Sequence, residues 1–156
     1  MAEHLQIAQG DKEAKYALLY KQIISVIEDE TDEIANMANV AAMLHETFRF
    51  LWTGFYRVLG DELVLGPFQG PLACTRIRRG KGVCGTAWER AETIVVPDVE
   101  LFPGHIACSS LSRSEIVVPI VRAGTVTAVL DIDSAATATF DATDAAWLAR
   151  IAALFA

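Results

Sequence analysis

The sequence predicts an α+β domain in which a central antiparallel sheet lies between helices at the two ends of the chain. Three observations support this fold class. Apolar residues recur at three- and four-residue steps over 13–50 and 141–156, which is the spacing of amphipathic helices. The middle of the chain instead carries short apolar or alternating runs, which are typical of strands. Short turns containing glycine join neighbouring runs, so antiparallel pairing is expected.

Three helices follow from these spacings. The first covers residues 13–28 and the second covers 32–50, with Thr31 as the expected N-cap residue of the second. A third helix opens at Asp141, because Asp144 stands three residues later in the arrangement of a capping box. Each helix carries one apolar stripe, so each needs an apolar surface to cover it.

Two strand pairs are predicted between the helices. The runs 52–59 and 62–66 flank a two-residue turn, and the runs 115–121 and 125–133 flank a three-residue turn. In each pair the short connection places the two strands side by side. The sheet is therefore expected to be built from at least these two hairpins.

A long segment, 67–113, separates the two strand pairs and contains every cysteine of the chain. Loops of this length inside a compact domain are usually functional. Within the segment, the pattern favours a short helix over 83–90 and a short strand over 93–96. The chemistry of the protein is therefore expected in this part of the chain.

Composition and charge exclude several classes of protein. The net charge of −7 and the pI of about 4.9 make the chain a poor candidate for binding the phosphate backbone of nucleic acid. No apolar run approaches the ~20 residues of a membrane helix, and no basic-then-apolar leader is present at the start. We expect an N-terminal tail over 1–14, a single domain over 15–156 and a cytoplasmic location, with no membrane or nucleic-acid partner.

Three carboxylates are predicted to converge on the second strand pair. Asp131 and Asp133 lie two residues apart in one strand, so their side chains share a face of the sheet. Glu115 opens the neighbouring strand and lies near them if the strands pair across the turn at 122–124. No lysine or arginine lies within 125–133. A ligand ammonium or a metal ion must then offset the charge, unless the carboxylates face water.

The cysteines Cys74, Cys84 and Cys108 permit three interpretations. Taken alone, each is a small buried apolar residue. His105 and Cys108 have the spacing of a zinc-ligand pair, but the second short pair of a structural zinc site is missing, so no metal is expected. The third interpretation is redox chemistry, because Cys108 lies in a polar loop and Cys84 lies near a helix start that favours a thiolate.

Six segments of the chain resemble the free methionine-(R)-sulfoxide reductases, which are single GAF-type domains. They are WTGFYRV, GPFQGPLAC, GKGVCGTAW, VPDVELFPGHIAC, SEIVVPI and AVLDIDS. The resemblance extends over about residues 15–156. GKGVCGTAW together with GHIAC and SEIVVP distinguishes these reductases from other GAF domains. The chain departs from the family at Ser109, where an acidic residue is common, and at Trp88, where small residues are frequent.

The resemblance implies a thiol-dependent reduction of free L-methionine-(R)-sulfoxide to L-methionine, with no cofactor. Cys108 corresponds to the nucleophile that becomes a sulfenic acid, and Cys84 corresponds to the thiol that resolves it. A Cys84–Cys108 disulfide, recycled by thioredoxin, is therefore implied. Cys74 corresponds to an auxiliary redox cysteine. The resemblance also implies a homodimer.

The resemblance also implies the residues of the substrate pocket. Glu115 and Asp131 match acidic residues that recognise the substrate, and Trp52 and Tyr56 match aromatic residues that line the pocket. Asp133 is assigned to the sulfoxide oxygen, because crowding raises the pKa of at least one acid and a protonated carboxyl group can activate that oxygen.

Glycine-rich backbone over 80–85 is expected to bind the α-carboxylate of the substrate through N–H groups. A pocket that binds both charged ends of a free amino acid rejects methionine sulfoxide within a polypeptide. The alternative function is a GAF module without catalysis, which binds a small effector such as a cyclic nucleotide or senses redox state through its disulfide.

Overall fold

The computed structural model describes residues 4–106 and 108–156. The strands are β1 (Trp52–Leu59), β2 (Glu62–Gln69), β3 (Arg76–Arg78), β4 (Ile94–Val96), β5 (Ser114–Arg122) and β6 (Thr125–Ser134). The helices are α1 (Lys12–Ile27), α2 (Glu33–Phe48), α3 (Gly82–Arg90) and α4 (Ala142–Ala153), with a 3-10 turn at Val99–Leu101. The strands form one antiparallel sheet in the order β3-β2-β1-β6-β5-β4.

The predicted α+β fold class is confirmed. The three predicted amphipathic segments are α1, α2 and α4, and the two predicted hairpins are β1–β2 and β5–β6. The short helix and the short strand expected within 67–113 are α3 and β4. Residues 1–3 of the expected tail lie outside the described residues, and α1 begins within that tail at Lys12.

Two local predictions were wrong. The N-cap residue of α2 is Asp32 rather than Thr31, and its carboxylate accepts a hydrogen bond from the N–H of Ala35 at 2.9 Å. A carboxylate is stabilised at a helix start by both this bond and the helix dipole. The segment 67–113 also contains β3, which pairs with β2. Three residues are too few for a period-two pattern to be recognised in sequence.

The two faces of the sheet support separate apolar cores. Helices α1, α2 and α4 cover one face, where Phe55, Ile116 and Leu130 are fully buried. Helix α3 covers the other face and packs against Tyr56 and Val117. Because side chains alternate along a strand, each of the central strands contributes to both cores in turn. A polar residue at an inward position of the second face is therefore enclosed by α3.

Helix α3 approaches the sheet closely because Gly85 has no side chain. A Cβ atom on Gly85 would overlap the carbonyl oxygen of Arg78 at the end of β3. The N–H of Gly80 donates to the carbonyl of Gly85 at 2.9 Å, and the N–H of Gly85 donates to the carbonyl of Lys81 at 2.9 Å. The turn and the helix are thus bonded into one unit. This contact fixes the first turn of α3, including Cys84, against the sheet.

We expect Gly85→Ala to lower the free energy of unfolding by about 1–3 kcal/mol, because the added methyl group overpacks the contact with Arg78. Urea denaturation measures the change. Gly124→Ala is the comparison, since no atom lies within 4 Å of its added Cβ and only its φ of +79° is costly. Wild-type stability of Gly85→Ala would contradict the close approach of α3.

Candidate active site

Strands β5 and β6 bring three carboxyl side chains to the face of the sheet that α3 covers. Glu115 of β5 and Asp133 of β6 are direct cross-strand partners, and Asp131 follows two residues away on the same face. Strand β1 places Trp52 opposite Asp133 and Gly54 opposite Asp131. The predicted convergence of the three acids is confirmed.

Two of these carboxyl groups are withdrawn from water. Glu115 is 6% exposed and Asp131 is 5% exposed, whereas Asp133 is partly exposed. The alternative in which the acids face water is therefore wrong for Glu115 and Asp131. Burial, followed by the charge of Asp133, raises the pKa of Glu115 to about 8. Burial and an acidic neighbour also raise the pKa values of Asp131 and Asp133.

Few polar side chains offset the charge of this acidic cluster. His105 Nε2 lies 3.6 Å from Glu115 Oε1, and Ser112 Oγ donates a hydrogen bond to Asp133 Oδ1 at 3.0 Å. Asp131 Oδ1 is buried with no hydrogen-bond partner among the described residues. The ion pairs of the described chain include no lysine or arginine bound to any of the three acids. The cluster is therefore suited to a positively charged ligand.

Trp52 and Tyr56 form one wall of the cavity beside the acids. The ring centroids of Trp52 and Tyr56 are 5.8 Å apart, and Phe68 also stacks on Trp52, with ring centroids 5.2 Å apart. Gly54 permits this packing, because a Cβ atom there would overlap Phe68 and the indole ring. The Tyr56 hydroxyl donates to the carbonyl of Cys74 at 2.8 Å. The aromatic wall therefore also holds the backbone that carries Cys74.

A disulfide joins Cys74 to Cys108, with their Cα atoms 5.6 Å apart. Cys74 is partly exposed in the loop after β2, and Cys108 is exposed in the loop before β5. The Cys84–Cys108 disulfide that the resemblance implied is wrong for this structure, in which Cys84 is free and buried. Two cysteines in loops can reach bonding geometry, whereas Cys84 is fixed in a helix packed on the sheet.

The thiol of Cys84 lies among the acids. The ligand atoms of Cys84, Glu115 and Asp131 all lie within 4.8 Å of one another. Burial, followed by the charges of Asp131 and Glu115, raises the pKa of Cys84 well above its usual value. The expectation that the start of α3 makes this cysteine a thiolate is wrong. A helix dipole stabilises a thiolate by only about 1 kcal/mol, and the burial of Cys84 beside acids outweighs that effect.

One cavity, open to solvent, connects these groups. Its walls contain the three acids, the aromatic pair, Cys84, Cys108 and residues 81–84 at the start of α3. Lys81 is the N-cap residue of α3 and makes no capping hydrogen bond through its side chain. The N–H groups of the first turn therefore lie at the cavity without a capping side chain.

Sequence reasoning omitted several residues of the cavity wall. The sequence pattern predicts no role for Ser112, and it marks His105 only as a possible zinc ligand beside Cys108. The available signal was their position in the same short segment as Cys108. Of the two departures from the family pattern, Ser109 lines the cavity. Trp88 does not, and it packs under the Arg79 guanidinium, 5.5 Å from the ring centroid.

Comparison with known proteins identifies the fold and the family. The sequence model of the GAF domain matches residues 22–156. The X-ray structure of free methionine-R-sulfoxide reductase from Neisseria meningitidis, in complex with its substrate, superposes with a TM-score of 0.95. It shares 56% sequence identity, and the match covers 97% of this chain and 92% of that chain.

Two curated relatives agree with this likeness. GAF domain-containing protein A of Dictyostelium discoideum is 56% identical over 152 residues, which is 97% of this chain and 96% of the relative. The free methionine-R-sulfoxide reductase of Escherichia coli K12 is 48% identical over 120 residues, which is 76% of this chain and 73% of the relative. The chain therefore belongs to the GAF domain family. Within that family it belongs to the free methionine-R-sulfoxide reductases.

In the described residues, every helix lacks the combination of length and apolar composition that a bilayer crossing requires.

The acidic cluster predicts how stability depends on pH. Because folding raises the pKa of Glu115, its contribution to stability is full below the unfolded pKa of about 4.3 and is lost as pH rises through about 8. We expect the free energy of unfolding to fall between pH 5 and pH 9. Glu115→Gln should reduce that fall by at least about 1 kcal/mol in urea denaturation. Exposed Glu28→Gln is the control, and identical profiles for the two variants would contradict the prediction.

Proposed function

We propose that this protein reduces free L-methionine-(R)-sulfoxide to L-methionine with Cys108 as the nucleophile. The observation that carries the proposal is that Cys108 and three carboxyl groups line the same cavity. A sulfoxide reductase needs a nucleophile for the sulfur and a proton donor for the oxygen. The substrate is supported by membership of the family whose Neisseria meningitidis representative is described in complex with its substrate.

The reaction transfers oxygen from the substrate to Cys108. The thiolate of Cys108 attacks the sulfoxide sulfur while the oxygen gains a proton, so that a sulfur–sulfur bond forms. The hydroxyl group then moves to the Cys108 sulfur, and both the new sulfur–sulfur bond and the original sulfur–oxygen bond break. The substrate sulfur is reduced to a thioether, and Cys108 is oxidised to a sulfenic acid. A second thiol then attacks the Cys108 sulfur, water leaves, and a disulfide forms. The Cys74–Cys108 bond supports Cys74 as this resolving thiol, in place of the Cys84 that the resemblance implied.

The acids divide two tasks between them. Glu115 and Asp131 are the most enclosed, and Asp131 Oδ1 has no partner in the described chain, so we assign these two to the substrate ammonium. Asp133 is more open and is held by Ser112, so we assign it to the sulfoxide oxygen. An ammonium beside the cluster favours ionised carboxylates, which promotes release of the Asp133 proton toward that oxygen.

The start of α3 and the aromatic wall complete the binding site. The N–H groups of the first turn of α3 bind the α-carboxylate, because their positive dipole end lies at the cavity without a capping side chain. Trp52 and Tyr56 contact the apolar part of the substrate. A methionine sulfoxide residue within a polypeptide has neither charged end, so the site selects the free amino acid.

Recycling requires an external dithiol, and we propose thioredoxin. Cys108 is exposed, so the sulfur of a protein dithiol can approach the disulfide. We also propose a cytoplasmic location, where such reductants maintain thiols. We also propose a homodimer, on the resemblance alone.

A redox-sensing GAF module is the alternative, because an exposed disulfide also suits a sensor. Oxidation of NADPH in a coupled thioredoxin assay separates the two. We expect turnover with free L-methionine-(R)-sulfoxide, and little with its S epimer or with a blocked analogue. A sensor would form the disulfide without producing methionine.

The cysteine variants assign the thiols. Cys108→Ser is expected to abolish methionine formation. Cys74→Ser is expected to release about one methionine per chain and then to recycle poorly with thioredoxin, because the sulfenic acid forms but is not resolved. Cys84→Ser is the matched comparison and is expected to recycle. Loss of recycling in Cys84→Ser with retention in Cys74→Ser would return the resolving role to Cys84.

The acid variants test recognition of the ammonium. Hydrogen bonds to charged groups contribute roughly 1.5–3 kcal/mol, so Glu115→Gln and Asp131→Asn should each lower kcat/KM about 10- to 150-fold. Asp133→Asn should lower kcat more than it raises KM. Steady-state kinetics on N-acetyl-methionine sulfoxide provides the control, because this compound lacks the ammonium. Equal turnover of the acetylated and free compounds would overturn the assignment of Glu115 and Asp131.

A further inference from the structure

Cys84 is the cysteine that neither the disulfide nor the proposed reaction uses. Its thiol is free, 4% exposed and fixed in the first turn of α3. Its sulfur lies within 4.8 Å of a carboxylate oxygen of Asp131. A thiol held at the floor of a cavity between carboxyl groups is poorly suited to attack by another protein, but its sulfur is well placed to act as a ligand.

The donor atoms around this thiol are close enough to share one ion. Those of Cys84, Glu115 and Asp131 lie within 4.8 Å of one another. A tetrahedral zinc site holds sulfur and oxygen ligands about 3.6 Å apart, given bonds of about 2.3 and 2.1 Å. Small side-chain rotations of about 1 Å therefore bring the three atoms to coordination distance.

A second observation independently indicates a missing ligand. Asp131 Oδ1 is buried and has no hydrogen-bond partner among the described residues, although its side chain lines the cavity. Leaving a buried acceptor without a partner is costly. Lys81 also lines this cavity but forms no ion pair with the cluster in the described chain. A cation inside the cavity would satisfy that oxygen.

The kinds of donor atoms select the metal. One thiolate sulfur and two carboxylates suit Zn²⁺, whereas Mg²⁺ and Ca²⁺ require oxygen ligands throughout. His105 adds a nitrogen donor, because its Nε2 lies 3.6 Å from Glu115 Oε1 and the ring faces the same cavity. His105 is not among the three residues whose ligand atoms lie within 4.8 Å of one another, so its side chain must shift to become the fourth ligand of a tetrahedral zinc site.

We propose that Zn²⁺ binds to Cys84, Glu115, Asp131 and His105 and excludes the substrate from the cavity. The thiol proton is released to solvent as the sulfur coordinates. The ion is an inhibitor, not a cofactor, since it occupies the acids assigned to the substrate ammonium. The metal site itself is independent of the proposed function, and only the inhibition rests on it.

This site differs from the His105–Cys108 zinc pair that the sequence suggested. Cys108 is bonded to Cys74, so its sulfur is not a ligand in the oxidised protein. Cys84 remains free in that state. The oxidised protein therefore isolates the proposed site, because its single free thiol is Cys84.

Titration of the oxidised protein with Co²⁺, a spectroscopic substitute for Zn²⁺, tests the site directly. We expect one equivalent to bind, with a near-ultraviolet sulfur-to-cobalt charge-transfer band and with visible bands of tetrahedral intensity that Zn²⁺ abolishes. Absence of the sulfur band in the wild-type protein would overturn the proposal, whatever the variants do.

Three variants locate the metal. Cys84→Ala is expected to lose the sulfur band, and Asp131→Asn is expected to weaken Co²⁺ binding by about 100-fold or more, since even indirect partners of a ligand contribute 10- to 100-fold. Asp133→Asn is the matched control, because this acid lies in the same cavity outside the ligand set; it is expected to keep the band. Retention of the band in Cys84→Ala, or its loss in Asp133→Asn alone, would overturn the assignment.

Inhibition is measured separately on the reduced enzyme in single turnover, without thioredoxin. Zn²⁺ is expected to raise the apparent KM for free methionine sulfoxide. The rates of the wild type and of Asp133→Asn in the presence of Zn²⁺ are each compared with the rate of the same protein without metal. Metal binding without competition would overturn the inhibitory role and leave the site. Failure of the metal-free enzyme to turn over would instead contradict the proposed function and leave the spectroscopic result intact.

Discussion

The structure depends on burying carboxyl groups on one face of the sheet with no lysine or arginine partner in the described chain. The pairing of β5 with β6 imposes this arrangement, because it sets Glu115 opposite Asp133 and aligns Asp131 on the same face. Burying these carboxyl groups destabilises the fold, and the apolar cores on both faces of the sheet offset that destabilisation. Without a ligand, raised pKa values keep protons on the cluster. A cation that enters the cavity can replace those protons.

The residues proposed for substrate recognition and those proposed for sulfur chemistry lie in different parts of the fold. The acids and the aromatic wall lie on strands, so their positions are fixed by ladder hydrogen bonds and packing. Cys74 and Cys108 lie in loops, where a sulfur can exchange one partner for another. Tyr56 joins the two parts, because its ring lines the cavity while its hydroxyl holds the backbone of Cys74. Cys74, which we propose as the resolving thiol, is thus held beside the aromatic wall.

The buried acids that we assign to the substrate ammonium are equally suited to other cations. What discriminates between them is the chemistry of the remaining neighbours. Cys84 and His105 offer sulfur and nitrogen donors, which favour a transition-metal ion, while the start of α3 and the aromatic wall favour an amino acid. The proposed substrate site and the proposed zinc site therefore share the same buried acids. They differ in which neighbouring groups would contact the ligand.

The local sequence pattern predicted the helices, both hairpins and the shared face of Asp131 and Asp133, because each depends on the period of a helix or a strand. It missed β3 and shifted one N-cap by a residue, because short elements and neighbouring capping groups carry weak local signals. The cysteine pairing, in contrast, depends on tertiary packing. Cys74 and Cys108 are 34 residues apart, and Cys84 is enclosed because α3 packs on the sheet, so which sulfur atoms meet is fixed by how distant segments dock.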